Sequence, residues 1–498
     1  MSDEDKKPQT DDQKRTESKP ESPVQTRHAI TINGRTLNYT VTTGMMPLHN
    51  VDNGEHEADI FFMAYTLDGV ENPAERPLTF AFNGGPGSAS IWLHLGALGP
   101  KRVQMQDEGW MPAPPYRLVT NEYTWLDLTD LVFIDPVGTG YSRAVKPDFN
   151  KKFWSLNGDI GSVSDFIRLY LTRYERWASP LFLSGESYGT TRAAGLSNHL
   201  FDRGIALNGI IMVSTVWNFL TSRFGSNDLP YALFLPTYAS TAWYHGKLPK
   251  DQLERALPDF LAEVEAFASG DYLLALAKGD QLSADERAAL IQRLAAYTGL
   301  EPRFVDYTNL RINIHQFCKE LLRDQWRTVG RLDSRFKGID ASNVNEVSDF
   351  DPSLTAITPP YTATFNDYAR RELRYESDVE YQTLSFRVNR EWDWGQGGVD
   401  TSEPLRAALT KNPYMKVLLA QGYYDLATPH YAAQYTVDHM GRLGTLEASL
   451  RGNISTTYYE AGHMFYLDVK SLAKFKDDVT AFMQAALGTV KEAMSDEQ

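Results

Sequence analysis

Pro180-Leu181-Phe182-Leu183-Ser184-Gly185-Glu186-Ser187-Tyr188-Gly189 is the stretch that decides how this chain folds. A short apolar run leads into Gly-x-Ser-x-Gly, and a helix-like segment from Thr190 to Phe201 follows. The order is strand, sharp turn, helix. A side chain at either glycine would crowd the strained turn and keep Ser187 from standing clear of the sheet.

The same alternation extends outward on both sides. Gly209 to Val213 reads as another buried strand, and Ile160 to Tyr174 has helical periodicity. Leu131-Val132-Phe133-Ile134-Asp135 is continuous and apolar, as suits a strand buried on both faces. Leu78 to Phe82 is a further strand and opens into Asn83-Gly84-Gly85-Pro86-Gly87. Nearer the N-terminus, Ile60 to Tyr65 reads as a strand, and Asn33-Gly34 joins Ala29–Ile32 to Leu37–Val41 as a hairpin. Strands alternating with helices predict an α/β fold around a mostly parallel sheet, covering residues 28–216 as its first part.

Past about Trp217 the pattern changes: Asp251 to Arg335 is rich in Ala, Leu, Glu and Arg, and Ser283-Ala284-Asp285-Glu286 carries a capping-box signature. Residues 217–385 are therefore read as a mainly helical insertion or lid. The α/β pattern resumes in 386–498, with a strand at Met415–Ala420, a helix from Pro429, a strand near Ser455–Tyr459 and a last helix from Leu472 to about Met494. Residues 1–27 are almost wholly polar and read as a disordered tail.

Composition narrows the function classes. A hydrophobic share of 42% with 12% aromatic residues suits a globular chain. A net charge of −15 repels phosphate backbones, so nucleic acid is not expected as a partner. No apolar stretch reaches the roughly 18 residues of a membrane span, and the N-terminus has no signal-peptide core, so no membrane partner and a cytoplasmic location are expected. A periplasmic or secreted location would follow if a leader had been removed. The single cysteine, Cys318, excludes an intrachain disulfide. The histidines His94, His315, His430 and His439 show no ligand spacing, so no metal and no organic cofactor are expected. A homodimer stays open.

A serine hydroxyl needs a base to take its proton and an acid to orient that base. In the order Ser, Asp, His, both lie C-terminal to the serine, on loops that follow later strands. Asp425 follows the strand ending at Ala420, and His463 follows the strand ending near Tyr459. Thr428-Pro429 is read as the cap and first position of the helix after Asp425. Oxyanion donors fall to the Tyr188 backbone N–H and to the Asn83–Gly87 loop.

Asn-Gly-Gly-Pro-Gly at 83–87, Ile134-Asp135-Pro136-Val137-Gly138-Thr139-Gly140-Tyr141-Ser142, Gly-Glu-Ser-Tyr-Gly and Gly462-His463-Met464 together resemble the serine carboxypeptidase family, peptidase S10. These α/β-hydrolase peptidases remove single residues from peptide C-termini. The likeness runs over about 55–215 and 415–470. It implies Ser187, Asp425 and His463 as triad, Gly85 and Tyr188 as oxyanion donors, and Asn83, Gly84 and Glu186 as the hold on the substrate carboxylate. A buried glutamate beside that carboxylate keeps its proton and donates a hydrogen bond. Peptides with a free C-terminus are the implied partners.

The chain departs from that family at two places. Ala97 stands where many members carry a second glutamate, and Ser88 where a disulfide-bonded cysteine is usual. The second departure points to a disulfide-free, bacterial-type member. The first keeps open an esterase, acyltransferase or endo-acting peptidase using the same triad. A non-enzymatic interaction protein on a hydrolase scaffold is the other alternative.

Overall fold

The computed structural model describes residues 22–225, 227–396, 398–440 and 446–495. Its centre is a twisted sheet. The strands on its main path are β1 (Val24–Ile32), β2 (Arg35–His49), β3 (His56–Leu67), β4 (Leu78–Phe82), β5 (Asp130–Ile134), β6 (Leu181–Glu186), β7 (Gly209–Val213), β8 (Lys416–Gly422) and β9 (Ile454–Tyr459). Their spatial order is β1-β2-β3-β5-β4-β6-β7-β8-β9. The first three and the β3–β5 pairing are antiparallel, and everything from β5 to β9 is parallel. Every residue of β4, β5 and β7 is buried, as their unbroken apolar runs require of strands covered on both faces.

The hairpin forms at Asn33-Gly34, both with positive φ (49° and 77°). Order begins earlier than the composition suggests. Val24 to Arg27 lie in β1, paired with Thr43 to Thr40, because a polar strand can alternate exposed and half-buried positions at a sheet edge. Residues 1–21 of the polar tail lie outside the described residues.

The helices that matter to the site are α1 (Leu156–Arg173), α2 (Tyr188–Phe201), α3 (Leu229–Tyr244), α4 (Ala284–Thr298), α5 (Pro352–Arg371), α6 (Ser402–Lys411), α7 (His430–Asp438) and α8 (Val469–Ser495). The Ser283–Glu286 capping box opens α4 with both of its hydrogen bonds formed. The helix after Asp425 starts one residue later than its sequence suggests. Pro429 is its N-cap, and Thr428 is turned to another task described below.

Residues 217–385 divide between two cores. The helices from α3 through Leu322 share an apolar cluster that takes in Tyr424 and Leu426 beside Asp425. Helix α5 instead packs Ile357, Tyr361, Phe365 and Tyr368 into the cluster under one face of the sheet. The site is thus roofed by one body and walled by an element of another. Among the described residues, no helix is long and apolar enough to cross a membrane.

Candidate active site

Ser187 sits at the tip of the β6–α2 turn with φ 61° and ψ −130°, a strained conformation for a residue with a side chain. The turn closes because two glycines cross. A Cβ on Gly185 would meet the Gly189 carbonyl, and one on Gly189 would lie 2.8 Å from the Phe82 carbonyl oxygen. The Ser187 N–H donates to the Val213 carbonyl at 3.0 Å, which fixes the tip to β7.

The loop after β4 is pressed against this turn. A Cβ on Gly84 would sit on the Tyr188 amide nitrogen and 2.6 Å from that of Gly189. Arg192, one turn into α2 and buried, donates to the Asn83 carbonyl at 2.7 Å and to Asp159 of α1 at 2.8 Å. Its guanidinium also lies over the Phe82 and Tyr188 rings. Arg192 therefore sets the distance between the glycine loop and the serine turn. Sequence reasoning passed over it; its place one helical turn beyond Tyr188 is the only local signal.

Asp425 is fully buried, and its carboxylate is saturated. Oδ1 accepts from the N–H groups of Ala427 (2.7 Å) and Thr428 (3.0 Å). Oδ2 accepts from the Thr428 hydroxyl at 2.6 Å and faces His463 Nδ1 at 2.7 Å. The Thr428 hydroxyl is thus spent on the acid rather than on capping α7. Burial works to lower the His463 imidazole, but the charge and hydrogen bond of Asp425 outweigh it, helped by Glu186, and the net displacement is upward.

A segment distant in sequence holds both loops. The Leu426 N–H donates to the Arg331 carbonyl at 3.0 Å, and the His463 N–H to that of Leu332 at 2.6 Å. Asp333 accepts the Gly462 N–H at 3.1 Å, and Ser334 donates to the Tyr424 carbonyl through N–H and hydroxyl, both at 3.0 Å. Arg335 neutralises the buried Asp333 at 2.7 Å. Residues 331–335 thus act as a strap across the loops carrying Asp425 and His463. No sequence pattern announces it, since its partners lie about 95 and 130 residues away.

Ser187, Tyr188, His463, Asn83, Gly84, Gly85 and Glu186 line one cavity of about 400 Å³. Every candidate from the sequence is therefore brought to one place, Asp425 through His463. Trp92, Ile357 and Met464 add an apolar wall, while Trp125 is buried in the core and Trp110 packs on Phe336.

Glu186 is 3% exposed. Its Oε2 accepts the Tyr466 hydroxyl at 2.6 Å, and the Asn83 side chain is a further hydrogen-bond partner. Burial raises its carboxyl to about 7, against the pull of His463, Tyr466 and Asn83. At neutral pH a large fraction of it carries a proton and can donate.

The sequence profile of the serine carboxypeptidase family, peptidase S10, matches residues 36–469. Serine carboxypeptidase-like 2 of Arabidopsis thaliana is 32% identical over 137 residues, 27% of this chain and 29% of that protein. Serine carboxypeptidase-like 1 of the same plant is 29% identical over 189 residues, 36% of this chain and 40% of that protein. The alignments therefore span less than half of these relatives. Among solved structures, Kex1(delta)p, a prohormone-processing carboxypeptidase from Saccharomyces cerevisiae, superposes with a TM-score of 0.55 at 19% identity, over 89% of this chain and 91% of that one. That likeness and the strand order make this an α/β-hydrolase fold.

Proposed function

The chain belongs to the serine carboxypeptidase family, and from that premise we propose that it releases C-terminal residues from peptides through an acyl-enzyme on Ser187. With Nδ1 held by Asp425, the neutral His463 has Nε2 free to take the Ser187 proton as Oγ attacks the scissile carbonyl. The tetrahedral oxyanion is received by the Tyr188 and Gly85 N–H groups. Each such donor stabilises the transition state by roughly 3 kcal/mol. His463 returns the proton to the leaving amine, and water then hydrolyses the ester by the same route.

Peptidase action confined to the C-terminus requires a hold on the terminal carboxylate. The observation that carries the reading is Glu186, buried on the wall of the cavity that Ser187 lines and raised to about 7. Its protonated carboxyl, with Asn83 and the Gly84 N–H, can bind an anion without pairing like charges. The amide of the same substrate lacks that anion.

The test compares an N-blocked dipeptide, its C-terminal amide and a simple aryl ester, using wild type and Ser187→Ala. The expected result is Ser187-dependent cleavage of the free acid, at least tenfold faster than of the amide. Cleavage of the ester alone would refute the peptidase assignment and leave an esterase or acyltransferase.

A further inference from the structure

Ala97 leaves this chain without the second acid that would steady Glu186. The segment that carries Ala97 is packed against two tyrosines. Ala97 is buried in the turn His94–Leu98, and a Cβ on its neighbour Gly96 would run into the Tyr466 ring and lie 2.7 Å from the Tyr361 hydroxyl. Two tyrosines, one following β9 and one on α5, therefore close on this wall. Tyr466 is 1% exposed and gives its hydroxyl to Glu186 Oε2 at 2.6 Å. Asn83 joins them, as its side chain bonds to both Glu186 and Tyr466 while its Oδ1 accepts the Leu93 N–H at 3.0 Å.

We propose that Tyr466 is the positioning residue of the carboxylate site: its hydroxyl, donated to Glu186, takes the place of the missing second acid and aims the Glu186 carboxyl at the substrate C-terminus. This rests on the carboxypeptidase reading above.

The replacement changes how the site titrates. Two facing carboxyls share a proton and titrate as a coupled pair. Tyr466 does not take part, because burial and the charge of Glu186 push its hydroxyl well above its ordinary value. The other groups facing Glu186 are His463, whose charge favours the carboxylate, Asp425, which opposes it, and the buried Tyr361 hydroxyl from α5. One carboxyl is left to titrate in the carboxylate site. Donation by Tyr466 favours its ionised form, so removing that donor raises Glu186 further.

The experiment is the pH profile of kcat/KM for the dipeptide acid and its amide, in wild type, Tyr466→Phe, Glu186→Gln and the double variant. Wild type is expected to lose acid cleavage at alkaline pH with the slope of one proton. Tyr466→Phe keeps the ring against Gly96. It is expected to move that limb upward by about one pH unit, the weight of one hydrogen bond to a charged group. It is also expected to cut the acid-over-amide preference about tenfold, through KM. With Glu186→Gln there is no limb, so the second substitution has none to move.

A limb and preference unchanged in Tyr466→Phe would overturn the proposal, as would an equal shift with the amide. A two-proton limb in wild type would also overturn it, and that reading needs no variant to fold. Absence of any acid preference in wild type would instead sink the carboxypeptidase reading itself.

Discussion

Glu186→Gln should stabilise this protein, and the gain should grow with pH. A carboxyl whose value rises from 4.5 to about 7 on folding is bound to its proton more tightly in the native state. Its cost is absent below pH 4.5, accrues as pH rises, and levels off above 7. At about 1.4 kcal/mol per tenfold, the plateau is about 3 kcal/mol. Glutamine removes that cost while keeping an oxygen for the Tyr466 hydroxyl. The variant should therefore exceed wild type by about 1 kcal/mol at pH 5 and about 3 kcal/mol at pH 8. Asp425 is the same in both proteins and His463 loses only the upward push of the Glu186 charge, so the pH-dependent part of the difference belongs to position 186 together with its coupling to that imidazole. Urea denaturation midpoints across that range measure it. A constant gap, or a variant less stable than wild type at pH 8, would refute the buried, protonated state of Glu186.

Other substitutions test the frame around it. Gly84→Ala puts a Cβ against backbone amides that cannot rotate away, so the glycine loop must lift from the serine turn. We expect kcat to fall by about 10² or more, as when an oxyanion donor is lost, with a parallel slowing of fluorophosphonate labelling. Asp425→Asn should lower kcat by about 10⁴ by disturbing the His463 tautomer, measured on the dipeptide acid. Arg192→Met leaves Asp159 buried without its partner and should cost about 3–5 kcal/mol in denaturation experiments. Burial already displaces Asp159 upward, so that cost should shrink at acid pH, where the carboxyl can take a proton.

The parts of this molecule legible in its sequence are those whose cause is local. Gly185 and Gly189 advertise a turn that only glycines can close, and the unbroken runs of β4 and β7 advertise strands covered on both sides. Asn33-Gly34 and the Ser283 capping box each act within four residues. The parts that were hidden depend on distant partners. Ile357, Tyr361, Phe365 and Tyr368 mark an apolar helix face, but nothing in their spacing says it belongs with the sheet rather than with the insertion. Thr428 looks like a cap because Ser and Thr before proline usually are, yet the Asp425 carboxylate three residues back competes for its hydroxyl and wins. Tyr466 lies three residues past His463, and only the fold turns it toward Glu186.

Residues 331–335 make the placing of Asp425 and His463 depend on a segment outside the sheet. The sheet could assemble with Ser187 on its turn, and still the imidazole and its carboxylate would sit on two loops free to drift. On denaturation, hydrolysis should vanish before the sheet does, so that enzymatic assay and circular dichroism trace two separate curves.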